Sequence, residues 1–483
     1  MSDPQESLDP QEPLLVVGAG PVGLITAIGF AQIGREVWCV DIDQQKVDLL
    51  ARGEVEMTEP DLAEALRTQI DRGLMHFEQS LEQALQMSGS RFLFVAVGTP
   101  SRQDESESAD MTAVTKVIEE IPADSRLVVV MKSTVPPGSG EGIVASARAA
   151  GKRFAYVSCP EFLCEGEAMS TVTKPDRVVI GVEPPDVRAG ELVVALHEGF
   201  LRGEDGKVDR SKIVMTNTAS AETSKYAANF NLATSISYTN EIANFCEHVK
   251  ADILDVMKAV GLDSRIGPHF LRAGLGYGGS CFPKDLKALR AVGTERQCEL
   301  TLASTVSEIN KRQVDRAVAK LISYFGDLNG KRVALLGLAF KPHISDLREG
   351  QAFALAHSLR KLNADIQAYD PDPIARAVAE GNCGRVKTQN EWIAPAEMAN
   401  SAQAALEGVH ACVLVTEWPC FNDIDWGKAK AGMVGDLVID GRNALDEQAV
   451  REAGLKYEGW GRQSSLPVQQ LSADSATLTG SSV

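Results

Sequence analysis

Leu14-Leu15-Val16-Val17-Gly18-Ala19-Gly20-Pro21-Val22-Gly23 is followed, one helix-length later, by Glu36-Val37-Trp38-Cys39-Val40-Asp41. Two short β-branched runs separated by a helical stretch read as a βαβ unit, because parallel strands need a long crossover between them. The first run ends in Gly-x-Gly-x-x-Gly. Glycines there permit a tight turn and let a pyrophosphate approach the backbone, while the next helix points its positive N-terminus at the anion. Asp41 closes the second strand at the spacing that lets a carboxylate accept from a ribose 2′-hydroxyl, which favours NAD over NADP. Gly18, Gly20, Val22, Gly23 and Asp41 are therefore read as cofactor contacts. Lys46 either meets phosphate or is a solvated helix residue.

The same rhythm continues with strands at Arg91–Val97 and Leu127–Met131. Each is followed by a glycine/proline loop: Val97-Gly98-Thr99-Pro100, and Lys132-Ser133-Thr134-Val135-Pro136-Pro137-Gly138. Both loops fall at strand C-termini, where open α/β sheets bind ligands. From Asn217 to Lys250 neither glycine nor proline occurs, which predicts one long helix, with helical character as far as Val260. Strands return at Lys331–Gly337, at Ala364–Tyr369 (ending on Asp370) and at Ala411–Thr416. The expected fold class is α/β, two doubly wound Rossmann-like domains joined by a central helical domain. The expected boundaries are a tail over 1–13, a cofactor domain over 14–216, a helical and dimerising domain over 217–325, a second α/β domain over 326–462 and a tail over 463–483.

With 483 residues, 44% hydrophobic and 24% charged, the chain has the composition of a soluble globular protein of more than one domain. A net charge of −18 argues against nucleic acid as partner, so any anionic ligand needs positive charge concentrated locally. Nine cysteines with no Cys-x-x-Cys pair do not read as a disulfide framework and fit a reducing cytoplasm. Residues 14–34 are apolar, but Pro21 and five glycines interrupt them and acidic residues precede them, so neither a membrane span nor a signal peptide is expected.

Gly276-Tyr277-Gly278-Gly279-Ser280-Cys281-Phe282-Pro283-Lys284-Asp285 delivers one cysteine to the first turn of a helix, with a lysine beside it. A helix N-terminus and an ammonium both favour thiolate, and thiolate is the nucleophile. No metal site is read. Pro160-Glu161-Phe162-Leu163-Cys164-Glu165-Gly166 follows another strand and places two carboxylates on a loop. Lys225 and Asn229, four apart, project from one side of the long helix, where an ammonium and an amide suit an oxyanion.

The ordered set GAGPVG, VGTP, STVPPG, PEFLCEG, SKYAAN, GYGGSCFPKD, GLAFKPHISDLREG, TEW and DGRN resembles the nucleotide-sugar 6-dehydrogenase family from about Leu14 to Arg462. The resemblance implies an NAD-dependent, four-electron oxidation of a UDP-sugar, UDP-glucose first, to the uronate. By that likeness Cys281 is the nucleophile that holds a thiohemiacetal and then a thioester. Lys225 and Asn229 handle oxyanion and proton, Asp285 acts through a water that Thr134 helps to hold, and Glu161 serves thioester hydrolysis. Gly98, Thr99, Pro100, Ser133, Glu165, Lys284 and Arg348 correspond to cofactor contacts. Phe162, Leu163, Lys225, Asn229, Phe270, Arg272, Gly276, Tyr277, Gly278, Phe340, Lys341 and Arg442 correspond to substrate contacts. Arg265 matches an arginine that enters the site from a neighbouring subunit, implying a homodimer or larger homo-oligomer. Gly337 begins no complete Gly-x-Gly-x-x-Gly, which suits a second domain holding UDP. The chain departs from the family pattern at Pro21 (commonly tyrosine), Asp61 (commonly glycine), Cys159 (usually asparagine) and the variable Cys164. The same chemistry on GDP-mannose or a UDP-N-acetylhexosamine, or a non-catalytic nucleotide-sugar-binding subunit, are the alternative readings.

Overall fold

The computed structural model describes residues 12–104, 106–380 and 397–463. The expected tails therefore lie largely outside the described residues. At the boundary, Glu12 and Pro13 are tied down: Arg91 Nε donates to Glu12 Oε1 at 2.7 Å, and Ser90 Oγ donates to the Pro13 carbonyl at 2.7 Å. The chain divides into two compact units, 1–229 with 284–299, and 230–283 with 300–483.

In the first unit, eight strands form one sheet: β1 (Leu14–Val17), β2 (Val37–Val40), β3 (Met75–Glu78), β4 (Phe92–Val95), β5 (Asp124–Met131), β6 (Arg153–Ser158), β7 (Val178–Gly181) and β8 (Ile213–Thr216). Their order is β3-β2-β1-β4-β5-β6-β7-β8, the doubly wound arrangement with two added strands. All neighbours are parallel except β6 and β7, which pair antiparallel through Ser158 and Gly181. Side chains alternate across the sheet. Leu14, Val16, Phe92 and Phe94 join one apolar cluster, and Leu15, Val17, Leu93 and Val95 another, so both faces are buried and the strands are apolar throughout. The edge strands β3 and β8 are half-exposed and mixed in composition, which is why no apolar run announces them.

The second unit contains a six-stranded parallel sheet: β9 (Arg332–Leu336), β10 (Asp365–Tyr369), β11 (Glu397–Met398), β12 (Ala411–Leu414), β13 (Leu437–Asp440) and β14 (Lys456–Glu458), ordered β11-β10-β9-β12-β13-β14. Its cores again lie on both faces, with Val333, Leu335 and Val413 in one and Ala334, Leu336 and Cys412 in the other.

The predicted long helix is observed as Thr218–Val249. It stops at Lys250, whose φ of 61° is left-handed, and the next helix, Ile253–Gly261, starts afresh with Asp252 capping the Leu254 amide. The two parallel-sheet domains and the central helical region agree with the expected fold class. No helix among the described residues is long and apolar enough to cross a membrane.

Candidate active site

At the C-terminal end of β1, Gly18 has φ 100°, and a Cβ on it would lie 2.6 Å from the Ala96 carbonyl oxygen. A Cβ on Gly23 would fall 1.7 Å from the Gly18 oxygen. Only glycine closes this turn. Gly20 faces open space and caps the helix Pro21–Gln32, where proline fits because first-turn amides need no helical partner. Asp41 Oδ2 accepts from the Ala19 amide at 2.9 Å and pairs with Lys46 Nζ at 3.1 Å, while Oδ1 takes the Asp43 amide at 3.1 Å. A carboxylate has about four lone-pair sites, so Asp41 retains acceptor capacity for a ribose hydroxyl. An open helix N-terminus, a glycine turn and a held acid fit NAD. Lys46 is committed to Asp41 rather than left as a solvated helix residue. At the next strand ends, Thr99 Oγ1 donates to the Thr134 carbonyl at 2.8 Å and Ser133 Oγ to the Val97 carbonyl at 2.8 Å. These hydroxyls pin the two loops to each other and leave Gly98 and Pro100 exposed.

Lys225 with Glu161 and Asn229 with Asp285 form buried polar pairs in this unit. Lys225 Nζ sits 2.8 Å from Glu161 Oε1, with side chains 5% and 8% exposed. Burial raises the Glu161 pKa, but the charge and hydrogen bond of Lys225, the Leu163 amide and the charge of Lys132 outweigh it and hold the carboxyl below its ordinary value. Asn229 Nδ2 donates to Asp285 Oδ2 at 2.6 Å, and Lys284 Nζ meets Asp285 Oδ1 at 2.6 Å. One helix face thus presents an ammonium and an amide, each oriented by its own carboxylate. Phe162 is covered by the Arg177 guanidinium, 3.8 Å from its ring centroid. The loop that carries Leu163 and Glu165 is anchored by Glu59, whose oxygens accept the amides of Gly166 (2.7 Å) and Ala168 (2.8 Å). Asp61, in place of glycine, takes the left-handed φ of 62°. A cavity of about 320 Å³ adjoins this loop and includes Glu161, Phe162, Arg177 and His197 in its wall. Burial and the Lys132 charge push His197 down to about 3, so it stays neutral and is no acid–base group at working pH.

In the second unit, Cys281 directly precedes the helix Phe282–Glu295, with the Ser280 hydroxyl 3.6 Å from its sulfur. The glycine loop before it is held from several sides. Asn310 brackets Tyr277, accepting its amide at 2.8 Å and donating to its carbonyl at 2.9 Å; Gln351 donates to the same carbonyl. Arg442 Nη1 donates to the Gly276 carbonyl at 2.9 Å. The Gly279 amide donates to the Arg348 carbonyl at 3.0 Å, and the Phe340 ring fills the space beside Gly279. Gly278 is buried against the Glu349 carbonyl and Lys341 is half-buried. Arg272 is exposed, Phe270 has φ 60°, and Arg265 is 86% exposed and paired with its own Asp263. The second sheet repeats the Asp41 motif in altered form. Asp370, fully buried, accepts the amides of Leu338 (2.7 Å) and Ala339 (3.0 Å), so no ribose reaches it.

Sequence reading missed Glu59, Arg177, Glu222, Asn310 and Gln351. None of them carries a local signal, since each is a polar residue among mixed neighbours and what it holds lies elsewhere in the chain.

Three consecutive segments match one family: residues 13–201 its NAD binding domain, 219–312 its central domain and 334–447 its UDP binding domain, all of the UDP-glucose/GDP-mannose dehydrogenase family. The chain is 40% identical over 460 residues to a UDP-glucose 6-dehydrogenase of Pseudomonas aeruginosa, covering 93% of this chain and 97% of that one. It is 36% identical over 459 residues to one of Rhizobium meliloti, covering 93% and 99%. A UDP-glucose dehydrogenase structure from Pyrobaculum islandicum superposes with a TM-score of 0.82 at 34% identity, covering 94% of this chain and all of that one.

Proposed function

Since the chain belongs to the UDP-glucose/GDP-mannose dehydrogenase family and is an NAD-dependent oxidoreductase, we propose that it oxidises UDP-glucose at C6 to UDP-glucuronate. The balance is one alcohol, one water and two NAD giving one carboxylate, two NADH and three protons. NAD, when bound at the first sheet, supplies the hydride acceptor for each oxidation. In this reading the Cys281 thiolate adds to the aldehyde carbon, forming a C–S bond and an alkoxide that takes up a proton. The resulting thiohemiacetal keeps the C–H bond that the second oxidation breaks. The thioester so formed is cleaved by water, which breaks the C–S bond and returns the thiol. Lys225 and Asn229 stabilise the oxyanions, Asp285 and Thr134 hold the water, and Glu161 assists the hydrolysis. Arg442, Phe340 and Lys341 receive the nucleotide-sugar, and Arg265 serves a neighbouring subunit's site in a cytoplasmic homo-oligomer.

The observation that carries the reading is the pair of buried, separately oriented polar groups on one helix face, Lys225 on Glu161 and Asn229 on Asp285. Burying such groups costs stability unless they are partnered. The relatives at 36–40% identity are UDP-glucose 6-dehydrogenases, which favours UDP-glucose over GDP-mannose or a UDP-N-acetylhexosamine. The test is turnover on each sugar with product analysis. Two NADH per UDP-glucuronate are expected, and Cys281→Ser abolishes sustained NADH formation while retaining UDP-sugar binding. Unchanged turnover in that variant removes the cysteine from the mechanism, and no NADH with UDP-glucose removes the substrate.

A further inference from the structure

One turn before Lys225, the same helix carries another buried acid. Glu222 is 2% exposed; its Oε2 accepts the Gly138 amide at 2.7 Å and its Oε1 the Gly140 amide at 2.9 Å. These amides open the helix Ser139–Ala149, whose N-cap Gly138 has no side chain of its own to do so. They also end the loop that begins at Lys132 and holds Ser133 and Thr134. The cap thus comes from a residue more than eighty positions away, and it joins the loop that bears Thr134 to the helix that bears Lys225 and Asn229. Gly140 has no room for a Cβ, which would stand 2.8 Å from both Glu222 Oε1 and Tyr156 Cε1.

We propose that Glu222 is a positioning residue: its carboxylate, bound to the amides of Gly138 and Gly140, fixes the Thr134 loop in register with Lys225 and Asn229. The proposal rests on the function given above. A carboxylate accepts from both amides at once. A protonated carboxyl or a carboxamide directs a donor at one of them, so one of the two bonds is lost.

The surroundings make this equilibrium accessible near neutrality. Burial, reinforced by Glu183, raises the Glu222 carboxyl to about 7, against the pull of the amides of Gly138, Gly140 and Ser139. Other groups facing the site are Tyr156 on β6, Tyr226 one turn along the helix and Arg296 beside Gly138. The Tyr156 and Tyr226 hydroxyls, both buried, have no hydrogen-bond partner, and burial pushes both above the ordinary phenol value. Neither offers Glu222 a compensating charge. Stability and catalysis then pull in opposite directions. The fold favours the protonated form, so this group's contribution to stability is fullest below its ordinary 4.5 and is lost as pH rises through about 7. The bidentate cap needs the charged form.

The experiment is steady-state kinetics of the full chain from roughly pH 6 to 9 for wild type, Glu222→Gln and Glu222→Asp. Wild-type kcat is expected to rise through a limb near neutral pH. Glu222→Gln lowers kcat roughly tenfold or more, for loss of a charge-assisted bond, and lacks that limb, with KM for UDP-glucose little changed. Glu222→Asp, which keeps the charge, restores the limb in part. A Gln variant with wild-type kcat, or with reduced kcat but the wild-type limb, overturns the proposal. Hydrogen exchange of residues 132–149 in the wild type, corrected for intrinsic pH dependence, tests it without any variant or substrate. Protection that fades below neutrality supports it, and protection independent of pH overturns it. Should the wild type leave UDP-glucose untouched, the substrate reading fails while the exchange result still stands for Glu222.

Discussion

Replacing Lys225 by methionine removes the ammonium and keeps most of the apolar stem, leaving Glu161 buried without its neutralising charge. The two groups are 2.8 Å apart with side chains 5% and 8% exposed, so little solvent screening is available. Breaking such a pair from one side costs about 3–5 kcal/mol, mostly through the carboxylate left behind. In a domain of this size that lowers the melting temperature by roughly 10 °C. The pH dependence identifies the cause. In the wild type Glu161 sits below its ordinary value of 4.5, so its contribution to stability is present above 4.5 and lost as pH falls through the lower, folded value. Without Lys225, burial dominates and the carboxyl moves up. The deficit is therefore largest near neutral pH and shrinks toward about pH 5, as Glu161 takes a proton. Adding Glu161→Gln to Lys225→Met removes the stranded charge and should return much of the lost stability at neutral pH. Calorimetric melting of the two single variants and the double variant at both pH values measures this. Equal deficits at both pH values, with additive effects in the double variant, would refute the idea that the pair is held by charge.

Two shorter predictions concern ligand sites. Asp41→Ala removes the acceptor offered to the ribose and releases Lys46, so KM for NAD rises roughly tenfold or more while use of NADP improves; an unchanged NAD/NADP ratio would exclude Asp41 from the cofactor site. In Gly276→Ala, a Cβ at φ 94° would lie 2.4 Å from Asn310 Oδ1, distorting the loop by about 1–3 kcal/mol of strain. KM for UDP-glucose should rise about tenfold or more with NAD affinity intact, and loss of NAD affinity alone would contradict the assignment of this loop.

The fold was readable where local pattern and burial coincide. Buried parallel strands such as β1, β4 and β9 are continuous apolar runs, and the long helix lacks any breaker over its length. Half-exposed edge strands gave no such run, and the antiparallel β6–β7 pair depends on chain direction, which composition does not encode. The long helix was readable to about Lys250, although the left-handed residue that stops it carries no compositional mark. In the glycine turn, Gly23 is demanded by the Gly18 carbonyl within one strand–turn–helix unit, whereas what excludes a Cβ at Gly18 is Ala96, just past the distant strand β4.

Chemical type is written locally: which residues are thiol, ammonium, amide or acid, and at what spacing, follows from the order of amino acids. Partnership is not. Lys225 is neutralised by Glu161, Asn229 is oriented by Asp285, Asp370 is sealed where Asp41 stays open, and the helix after the Thr134 loop is capped by Glu222. Each of these contacts joins segments distant in the chain and exists only once packing has excluded water. Tertiary structure alone decides them, because the energy of a buried charge or hydrogen bond is set by what faces it across the fold.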